Sequence, residues 1–385
     1  MKISNDIRYI GVNDRDIDLF EGMYEVPNGM AYNSYVITDE KIAVMDTVDA
    51  KCGTEWMDKL DKALGDRKPD YLIISHMEPD HSSNIMAFKE KYPEAVIVGT
   101  KQAFPIMKNF FGTDYADSRL VVGEGDALEL GTHTLKFVTA PMVHWPEVMM
   151  TYDSKDKVLF TADAFGKFGT LDTDEDWACE ARRYYFGIVG KFGTQVQAVL
   201  KKINALEVET ICPLHGPFLT ENLSYYLDLY NTWSSYGTES EGIVINYTSV
   251  YGNTKQAVEL LAQKLEDLGC VKVAVNDLAR CDMAEAVEDT FRYGKAVFAT
   301  TTYNGGMFPF MQTFIESLVE RNFKNKLIGF IDNGSWNPMA AKAMKAMFEK
   351  AKDLTLCENE VKILSSVSDE NVKQIEALAK ELMTK

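Results

Sequence analysis

The chain has few histidines, no paired cysteines and no long apolar run, and each shortage excludes a class of protein. Of its 385 residues only 5 are histidine and 6 are cysteine. The cysteines are scattered without a CxxC pair, which excludes a built-in rubredoxin or iron–sulfur centre and favours free thiols. No segment approaches the roughly 18 apolar residues of a membrane helix. The N-terminal MKISNDIRYIGVNDRD also lacks the apolar core of a signal peptide, so we expect a cytoplasmic protein with no membrane association.

Acidic side chains outnumber basic ones by 58 to 40, which gives a formal net charge of -18. Such a chain is not attracted nonspecifically to nucleic acid or to an anionic membrane surface. The hydrophobic content of 46% is ordinary for a globular protein, and the length suggests two domains. The polar stretch YGTESEG, residues 236–242, precedes a fresh strand pattern. We therefore expect domains at 1–240 and 241–385.

The segment after residue 240 alternates strand and helix patterns. Five apolar, β-branched runs occur there: GIVINYT, VKVAVNDL, KAVFATTTY, KLIGFIDNG and VKILSS. Helical patterns such as TKQAVELLAQKLEDLG separate them. This alternation predicts a five-stranded parallel sheet covered by helices on both faces, in a flavodoxin-like doubly wound order. Ligands of such sheets bind outside the carboxyl ends of the strands.

The segment before residue 240 mixes strands and helices less regularly. DLFEGMYEVP, NSYVITD and KIAVMDT predict an antiparallel meander, and seven further strand patterns follow, among them VVGEGDALEL. Helical patterns lie at residues 52–64, 82–91, 101–110, 180–190, 192–204 and 221–235. Two sheets packed against each other, with the helices outside, accommodate this arrangement.

Four of the five histidines lie in three short motifs: HMEPDH (His76 and His81), MVHWPE (His144) and PLHGP (His215). Imidazole is the commonest protein metal ligand. HMEPDH adds the carboxylates of Glu78 and Asp80, so one short loop offers two nitrogen and two oxygen donors. This composition predicts the start of a site for two metal ions.

The remaining donors also stand where strand patterns stop. His144 follows LKFVTAP, Asp163 ends VLFTAD and His215 follows TICPL. Because a turn can direct several side chains to one point, we expect a metal site along one rim of the two sheets. The alternative is structural, since a single buried histidine is often an ordinary core residue and HMEPDH alone fits a capped turn. His133, in the polar segment GTHTLK, is expected to be exposed to solvent.

The donor pattern resembles the metallo-β-lactamase superfamily, whose signature is HxHxDH followed by single His, Asp and His ligands. Glu78 stands where most hydrolases of that superfamily have a second histidine, and a carboxylate there favours iron over zinc. HxExDH followed by a flavodoxin-like segment resembles the flavodiiron proteins over essentially the whole chain. The resemblance implies an α/β fold, in which a metallo-β-lactamase-like αββα sandwich precedes a flavodoxin-like doubly wound five-stranded parallel sheet.

The resemblance also implies a role for each donor. The seven side chains would form two sets joined by a bridge: His76, Glu78 and His144 on one iron ion, Asp80, His81 and His215 on the other, and Asp163 between them. The ligand equivalent to His81 is not bound in every member of the family. Trp145 and Glu147, beside His144 in sequence, would orient its imidazole.

The segment TSVYGNT, residues 248–254, lies between a strand pattern and a helix expected to begin near Lys255. Flavodoxins hold the FMN phosphate in this way, with loop amides, the helix N-terminus and hydroxyl groups such as those of Thr248, Ser249 and Thr254. Gly252 allows close approach of the backbone to the phosphate. The segment contains neither GxxxxGK[ST] nor GxGxxG, which disfavours ATP and dinucleotide ligands.

The loops TTTYNGG (residues 300–306) and DNGSW (residues 332–336) follow the third and fourth strands, where flavodoxins contact the isoalloxazine ring. Tyr303 or Trp336 would stack on the ring, while Thr301 and the Asn333–Ser335 run depart from the family pattern. The residues predicted to contact FMN are Thr248, Ser249, Val250, Tyr251, Gly252, Asn253, Thr254, Thr301, Thr302, Tyr303, Asn304, Gly305, Asn333, Gly334, Ser335 and Trp336.

The resemblance implies an oxidoreductase that reduces O2 to water, NO to N2O, or both, at a non-haem diiron centre supplied through FMN. Because the chain has no paired cysteines, the electron donor would be external, either rubredoxin or an NAD(P)H-linked reductase. Family members form head-to-tail homodimers in which the FMN of one subunit faces the diiron site of the other, and we expect the same here, or a dimer of such dimers.

Two other functions fit parts of the pattern. The chain could be a zinc hydrolase of the metallo-β-lactamase superfamily fused to a flavodoxin module, which metal analysis would reveal. It could also be an electron-transfer flavoprotein with a catalytically silent first domain. The second hypothesis predicts that metal ligands are missing or substituted, and none of the seven predicted ligands is missing.

Overall fold

The structure is a computed structural model and describes residues 1–385. The chain forms two compact units, Met1–Asn231 and Thr232–Lys385. The strands of the first unit are β1 Ile7–Tyr9, β2 Val12–Asp14, β3 Leu19–Phe20, β4 Tyr24–Glu25, β5 Met30–Tyr32, β6 Tyr35–Thr38, β7 Ile42–Met45, β8 Tyr71–Ile73, β9 Val96–Thr100, β10 Arg119–Val122, β11 Ala127–Glu129, β12 Thr134–Thr139, β13 Met149–Asp153, β14 Val158–Phe160 and β15 Thr210–Cys212. Its helices are α1 Gly53–Leu64, α2 Pro79–Ser82, α3 Ile85–Lys91, α4 Ala103–Phe111, α5 Trp177–Tyr184 and α6 Gly193–Ile203, and α7 Leu223–Ser234 spans the division.

Two sheets form the centre of the first unit. One has the order β1-β6-β7-β8-β9-β10 and the other has the order β11-β12-β13-β14-β15. Apolar side chains from both, including Ile37, Met45 and Val98 on one side and Phe137 and Phe160 on the other, form one buried core. Burial of this apolar surface between the sheets confirms the predicted sandwich.

Two details of the first unit differ from the sequence predictions. VVGEGDALEL is not one strand, because Gly125 adopts φ +81° and breaks the extended run, so β10 and β11 lie in different sheets. The helix predicted at 82–91 is also divided. A short turn, Pro79–Ser82, precedes the helix Ile85–Lys91, and Pro79 occupies the first position of that turn.

The second unit is a doubly wound α/β layer. Its strands are β16 Ser240–Tyr247, β17 Val273–Asp277, β18 Tyr293–Tyr303, β19 Gly306–Met307, β20 Lys326–Asn333, β21 Leu354–Leu356 and β22 Val361–Ile363. Its helices are α8 Asn253–Asp267, α9 Met283–Arg292, α10 Pro309–Glu320, α11 Ala340–Phe348 and α12 Asp369–Thr384.

The strands β17-β16-β18-β20-β21 pair in this order and are parallel, as predicted. The chain order therefore reverses beside β16, and the carboxyl ends of β16, β18 and β20 meet at one edge. The fifth position is shared by β21 and β22, which both pair with β20. Only β22 was predicted; β21 has just three residues and is mostly exposed, so it lacks the long buried run of strands such as β20.

Candidate metal centre and cofactor cavity

The seven predicted donors converge in the first unit as two adjacent groups. His76, Glu78, His144 and Asp163 form one group and Asp80, His81 and His215 form the other, with the ligand atoms of each group within 4.8 Å of one another. All four histidine rings are buried, and so are Asp80 and Asp163. The structure thus brings together every metal ligand proposed from the sequence.

In the first group, the donor atoms surround a single point. Nε2 of His144 lies 3.0 Å from Oε2 of Glu78 and 3.1 Å from Oδ2 of Asp163. Nε2 of His76 lies 3.2 Å from the same Glu78 oxygen and 3.3 Å from Nε2 of His144. Two nitrogens and two oxygens from separate segments therefore face one another.

The second group has the same form, and Asp163 also reaches it. Nε2 of His81 lies 3.0 Å from Nε2 of His215 and 3.2 Å from Oδ2 of Asp80. Oδ1 of Asp163 lies 3.3 Å from Nε2 of His81. Asp163 therefore presents one carboxylate oxygen to each group.

The donor atoms fit a pair of metal ions better than a hydrogen-bonded network. At each facing pair of imidazole nitrogens, at most one proton can be shared. Both oxygens of Asp80 and Oδ1 of Asp163 are buried without a hydrogen bond. Buried polar atoms are rarely left without partners, and a cation in each group would satisfy all of these at once.

Electrostatics within the cluster favour positive charge. Burial lowers the pKa of His144, but hydrogen bonds with Asp163 and Glu78 outweigh burial and raise it to about 9. Burial raises the pKa of Glu78, but hydrogen bonds with His144 and His76 lower it to about 2. Burial likewise opposes ionisation of Asp163, but the neighbouring His76 and hydrogen bonds with His144 and His81 hold its pKa well below the usual value. Glu78 and Asp163 thus remain ionised, and the site attracts cations.

The ends of strands place these donors, as the sequence predicted. Behind them, the buried Asp46 accepts hydrogen bonds from the backbone amides of Ser75 and His76, at 2.7 and 3.3 Å from Oδ1. Asp46 has φ +53°, a conformation uncommon for a residue with a side chain. It ties the end of β7 to the start of the ligand turn.

Glu147 orients a different histidine from the one expected. Its Oε1 lies 2.8 Å from Nδ1 of His76 and accepts a hydrogen bond from the backbone amide of Met77 at 2.9 Å. The Trp145 ring stands edge-on to His76 at 5.1 Å. The expectation that both residues orient His144 was wrong for Glu147, because proximity in sequence does not determine which ring a side chain meets.

Aromatic side chains near His215 were not identified from the sequence. Phe20, Tyr32 and Tyr184 are buried, with ring centroids 5.4, 5.9 and 5.4 Å from that of His215. The Tyr184 hydroxyl makes no hydrogen bond within the chain, and neighbouring Asp163 and Asp80 reinforce the effect of burial in raising its pKa well above the usual value. These residues come from three distant segments, so no local pattern could have indicated them.

His133 is buried, contrary to the sequence expectation. Its Nδ1 lies 3.0 Å from Oδ2 of Asp153 and its Nε2 lies 3.3 Å from Oδ2 of Asp6, while Lys155 Nζ lies 3.1 Å from Nε2. Asp153, Asp6 and Lys155, none of them next to His133 in sequence, satisfy the imidazole; Asp153 is buried, whereas Asp6 and Lys155 are about a third exposed.

In the second unit, a cavity of about 440 Å³ lies at the carboxyl edge of the sheet. It is lined by Ser249, Val250, Tyr251, Asn253, Thr254, Thr301, Thr302, Tyr303, Asn304, Gly305, Asn333, Gly334, Ser335, Trp336, Asn337, Met339 and Ser365. Fourteen of the sixteen residues predicted to contact FMN are among these. Asn337, Met339 and Ser365 were not predicted, and Ser365 follows β22 in a segment without a recognisable motif.

The two remaining residues, Thr248 and Gly252, are not part of the lining. Thr248 is buried, and its hydroxyl lies 2.5 Å from that of Thr300. Gly252 has φ +93° and directly precedes α8, which begins at Asn253 rather than near Lys255. The Ser249 hydroxyl accepts hydrogen bonds from the amides of Gly252 and Lys255. The loop therefore presents a helix N-terminus, which suits a phosphate group.

The two loops predicted to contact the isoalloxazine ring, residues 300–306 and 332–336, are held by local backbone conformation and hydrogen bonds. Asn304 and Gly305, with φ +49° and +76°, form a tight hairpin between β18 and β19. The Asn333 amide donates to the backbone oxygen of Ser365 at 3.2 Å, so this side chain supports the wall. Tyr303 is half-exposed and Trp336 is 90% exposed. Both can reach a planar ring in the cavity without disturbing the core.

Comparisons with known proteins agree with this architecture. A family model described as ODP family beta lactamase matches residues 30–216. An anaerobic nitric oxide reductase flavorubredoxin of Vibrio vulnificus is 30% identical over 361 residues, which cover 91% of this chain and 73% of that protein. An uncharacterized protein of Methanocaldococcus jannaschii is 26% identical, with coverage of 91% of this chain and 89% of its own.

Solved structures show the same fold over the whole chain. Rubredoxin oxygen:oxidoreductase from Desulfovibrio gigas has a TM-score of 0.92 at 24% identity, covering 99% of this chain and 97% of that one. The flavodiiron protein from Giardia intestinalis has a TM-score of 0.89 at 24% identity, and the match covers 99% of this chain and 95% of that one. These proteins define a class in which a β-lactamase-like domain precedes a flavodoxin-like domain. The chain belongs to the flavodiiron protein family and is an oxidoreductase of that family. None of its helices is both long enough and apolar enough to span a membrane.

Proposed function

We propose that this protein reduces O2 to water, NO to N2O, or both, at a pair of iron ions, with electrons passed through FMN from an external donor. The position of Asp163 carries the proposal. Its Oδ2 lies 3.1 Å from Nε2 of His144, and its Oδ1 lies 3.3 Å from Nε2 of His81. A carboxylate shared in this way suits two cations held close together. When bound, iron and FMN supply the electron-transfer and O2 chemistry that side chains lack.

The composition of the donor set supports iron rather than zinc. Each group combines two imidazole nitrogens with carboxylate oxygens, and Glu78 contributes an oxygen where the related hydrolases have a nitrogen. Carboxylates favour harder metal ions, whereas a nitrogen-rich set suits zinc. We assign His76, Glu78 and His144 to one iron ion and the other group to the second.

The surroundings of the second group support a small gaseous substrate. Phe20, Tyr32 and Tyr184 place apolar ring surface beside His215. Such a wall excludes water from a reaction that must not release partly reduced products. The Tyr184 hydroxyl keeps its proton, because burial raises its pKa, and is free to donate a hydrogen bond to a bound ligand.

We place FMN in the cavity of the second unit, with its phosphate at the 249–254 loop and its ring between the Tyr303 and Trp336 loops. The polar lining and the helix N-terminus support this placement. Accordingly, residues 1–240 would form the diiron domain and residues 241–385 the FMN domain.

The cavity rim supports the proposed head-to-tail homodimer. Tyr251 and Trp336 are 92% and 90% exposed at the cavity, which is unusual for large aromatic side chains and suits coverage by a second copy. No disulfide links any of the six cysteines. Electrons would therefore come from another protein, either rubredoxin or an NAD(P)H-linked reductase.

The test combines metal analysis with an anaerobic gas-electrode assay. Chemically reduced protein, loaded with iron and FMN, should consume O2 or NO, and Asp163→Ala should abolish consumption while retaining the FMN absorbance. Asp117→Ala, at an exposed position, serves as the control and should match the wild type. Zinc as the sole metal, with hydrolytic turnover, would support the zinc hydrolase instead. Full activity in Asp163→Ala would contradict the role of the metal centre.

A further inference from the structure

A second cavity of the first unit is rich in hydrogen-bond donors. This groove, of about 670 Å³, is lined by Met1 and Lys2, by residues of the 8–13 segment and of α1, and by Leu171 and Asp172. We call it the cationic groove. Its basic residues are Lys2, Arg8, Lys59 and Lys62. Lys59 is paired with Glu55 at 2.7 Å and donates to the backbone oxygen of Gly11 at 2.8 Å. In a chain with a net charge of -18, the remaining three cations, against Asp172 alone in the lining, are a local reversal of sign.

Most of these donors have no partner within the chain. The Arg8 guanidinium makes no hydrogen bond or ion pair, and its Nε is buried. The Tyr9 hydroxyl is likewise buried without a hydrogen bond, and burial raises its pKa far above the usual value, so it remains a donor. Lys2 and Lys62 form no salt bridge. Unsatisfied buried donors are rare in proteins and indicate a missing acceptor.

The acceptors near the groove are already used. Asp172 pairs with Arg15 at 2.5 Å and accepts from the Thr170 hydroxyl at 2.9 Å. The side-chain Oδ1 of Asn13 accepts a hydrogen bond from the backbone amide of Leu171, which leaves the side-chain Nδ2 of Asn13 as a further donor. The groove therefore has donors and positive charge to offer and almost no free acceptors.

Part of the groove lining is apolar. Ala63 and Leu171, both partly exposed, line it beside the polar groups, together with the buried Ile10. A free inorganic ion would leave this surface uncovered, whereas an organic ligand would cover it. A planar guanidinium also matches the two oxygens of a phosphate or carboxylate.

We propose that the cationic groove is a binding site for an organic oxyanion, a phosphate or carboxylate carried on a small apolar body. Arg8 holds the oxyanion, Tyr9 donates a hydrogen bond to it, and Lys2 and Lys62 supply long-range attraction. This site is separate from the metal ligands and from the FMN cavity, and the proposal does not depend on the gas chemistry.

The test is calorimetric titration at low ionic strength with phenyl phosphate and benzoate, with neutral phenol as the matched control. Protein loaded with iron and FMN is used, so that the flavin phosphate loop is filled. We expect one oxyanion bound per chain in this groove, weaker binding as sodium chloride is added, and no binding of phenol at the same concentration. If phenyl phosphate binds more tightly than benzoate, phosphate is the preferred headgroup. The reverse order of affinities would identify carboxylate.

Variants locate the binding. Arg8→Gln should weaken it about 10-fold or more and Tyr9→Phe several-fold, because each removes a hydrogen bond to an ionised acceptor. Lys68→Gln removes an exposed positive charge outside the groove and should bind like the wild type. If Arg8→Gln does not fold, Lys62→Gln, at an exposed position, is compared with Lys68→Gln instead and should also weaken anion binding. Gas consumption should be unchanged in all of them.

Two outcomes overturn the proposal. One is the absence of saturable binding of either anion. The other is wild-type affinity in Arg8→Gln or Lys62→Gln, which would assign the anion to the metal centre or to another surface.

Discussion

Nδ1 of His76 lies 2.8 Å from Oε1 of Glu147, and both side chains are buried. The acceptor on Nδ1 fixes the proton there and leaves Nε2 free to bind a metal ion. Carboxylates that orient a metal-binding histidine in this way typically contribute 10- to 100-fold to metal affinity. The second oxygen of Glu147 has no hydrogen bond, so its role is concentrated on His76 and the adjacent amide.

From this contact we predict that Glu147→Ala lowers the affinity for iron by about 10-fold or more without affecting FMN content. Glu147→Gln keeps an acceptor for Nδ1 and should retain more iron than Glu147→Ala. Iron and FMN per chain, measured after dialysis against a chelator, test both variants. Equal iron content in Glu147→Ala and the wild type would show that the contact has no bearing on the metal.

Glu78 is expected to determine which metal is preferred. Glu78→His replaces an oxygen donor by a nitrogen donor and removes one negative charge from a buried site. We therefore expect the ratio of zinc to iron bound under competition to rise, with a loss of gas consumption. Elemental analysis after growth with both metals measures the ratio. A ratio that remains at the wild-type value would contradict the assignment of Glu78 as a ligand.

The ion cluster around the buried His133 should make stability depend on pH. Burial lowers the pKa of His133, but the hydrogen bonds with Asp153 and Asp6 outweigh burial and the repulsion of Lys155, and raise it. A histidine whose pKa is raised in the folded state contributes to the stability of the fold. This contribution is complete below the unfolded-state pKa of about 6.5 and is lost as the pH rises through the folded-state pKa.

Asp153→Asn should therefore lower the free energy of unfolding more at pH 6 than at pH 9. Urea denaturation at the two pH values measures the difference in the free energy of unfolding between the variant and the wild type. The contributions of the metal-site histidines are common to both proteins and cancel in this difference. Asp117→Asn, at an exposed position that forms no ion pair, should show no such dependence. A destabilisation that grows with pH would have the wrong sign for this explanation.

Gly252 is expected to be required for FMN binding because of its backbone conformation. Its φ of +93° is unfavourable for any residue with a side chain, although a Cβ there would meet no atom within 4 Å. Gly252→Ala should therefore distort the phosphate loop and lower FMN affinity by roughly 10-fold, at a cost in stability of about 1 kcal/mol.

Gly269 provides the matched control for this prediction. It has φ +85° and equally open space, but it lies away from the cavity. Gly269→Ala should lose similar stability and keep the wild-type FMN affinity, as followed by quenching of flavin fluorescence. Equal losses of FMN in the two variants would indicate a general effect of destabilisation.

The accuracy of the sequence predictions depended on the kind of signal. The parallel sheet of the second unit was predicted correctly because apolar strand patterns and amphipathic helices alternate regularly. The convergence of His76, Asp163 and His215 could be expected because each follows a strand, and strands end at a common rim. Where the signal was only local polarity, as at His133, the prediction was wrong.

Contacts between distant segments were beyond the reach of local patterns. Glu147 was expected to serve His144, three residues away, but it meets His76, 71 residues away in sequence. Tyr184 and Ser365 were not identified, because neither belongs to a motif. The groove donors Arg8 and Tyr9 look like ordinary strand residues until the positions of their partners are known.

The sequence by itself determined the chemistry that is available: which donors exist, how they are spaced, and that strands end beside them. Periodicity encodes this information locally, since each strand or helix is a property of neighbouring residues. Only the tertiary structure decided that the two oxygens of Asp163 face different histidines, that His133 is enclosed by carboxylates, and that Arg8 is left without an acceptor. Those relations depend on distances between segments far apart in the chain, which are fixed only when the sheets pack and bury their common core.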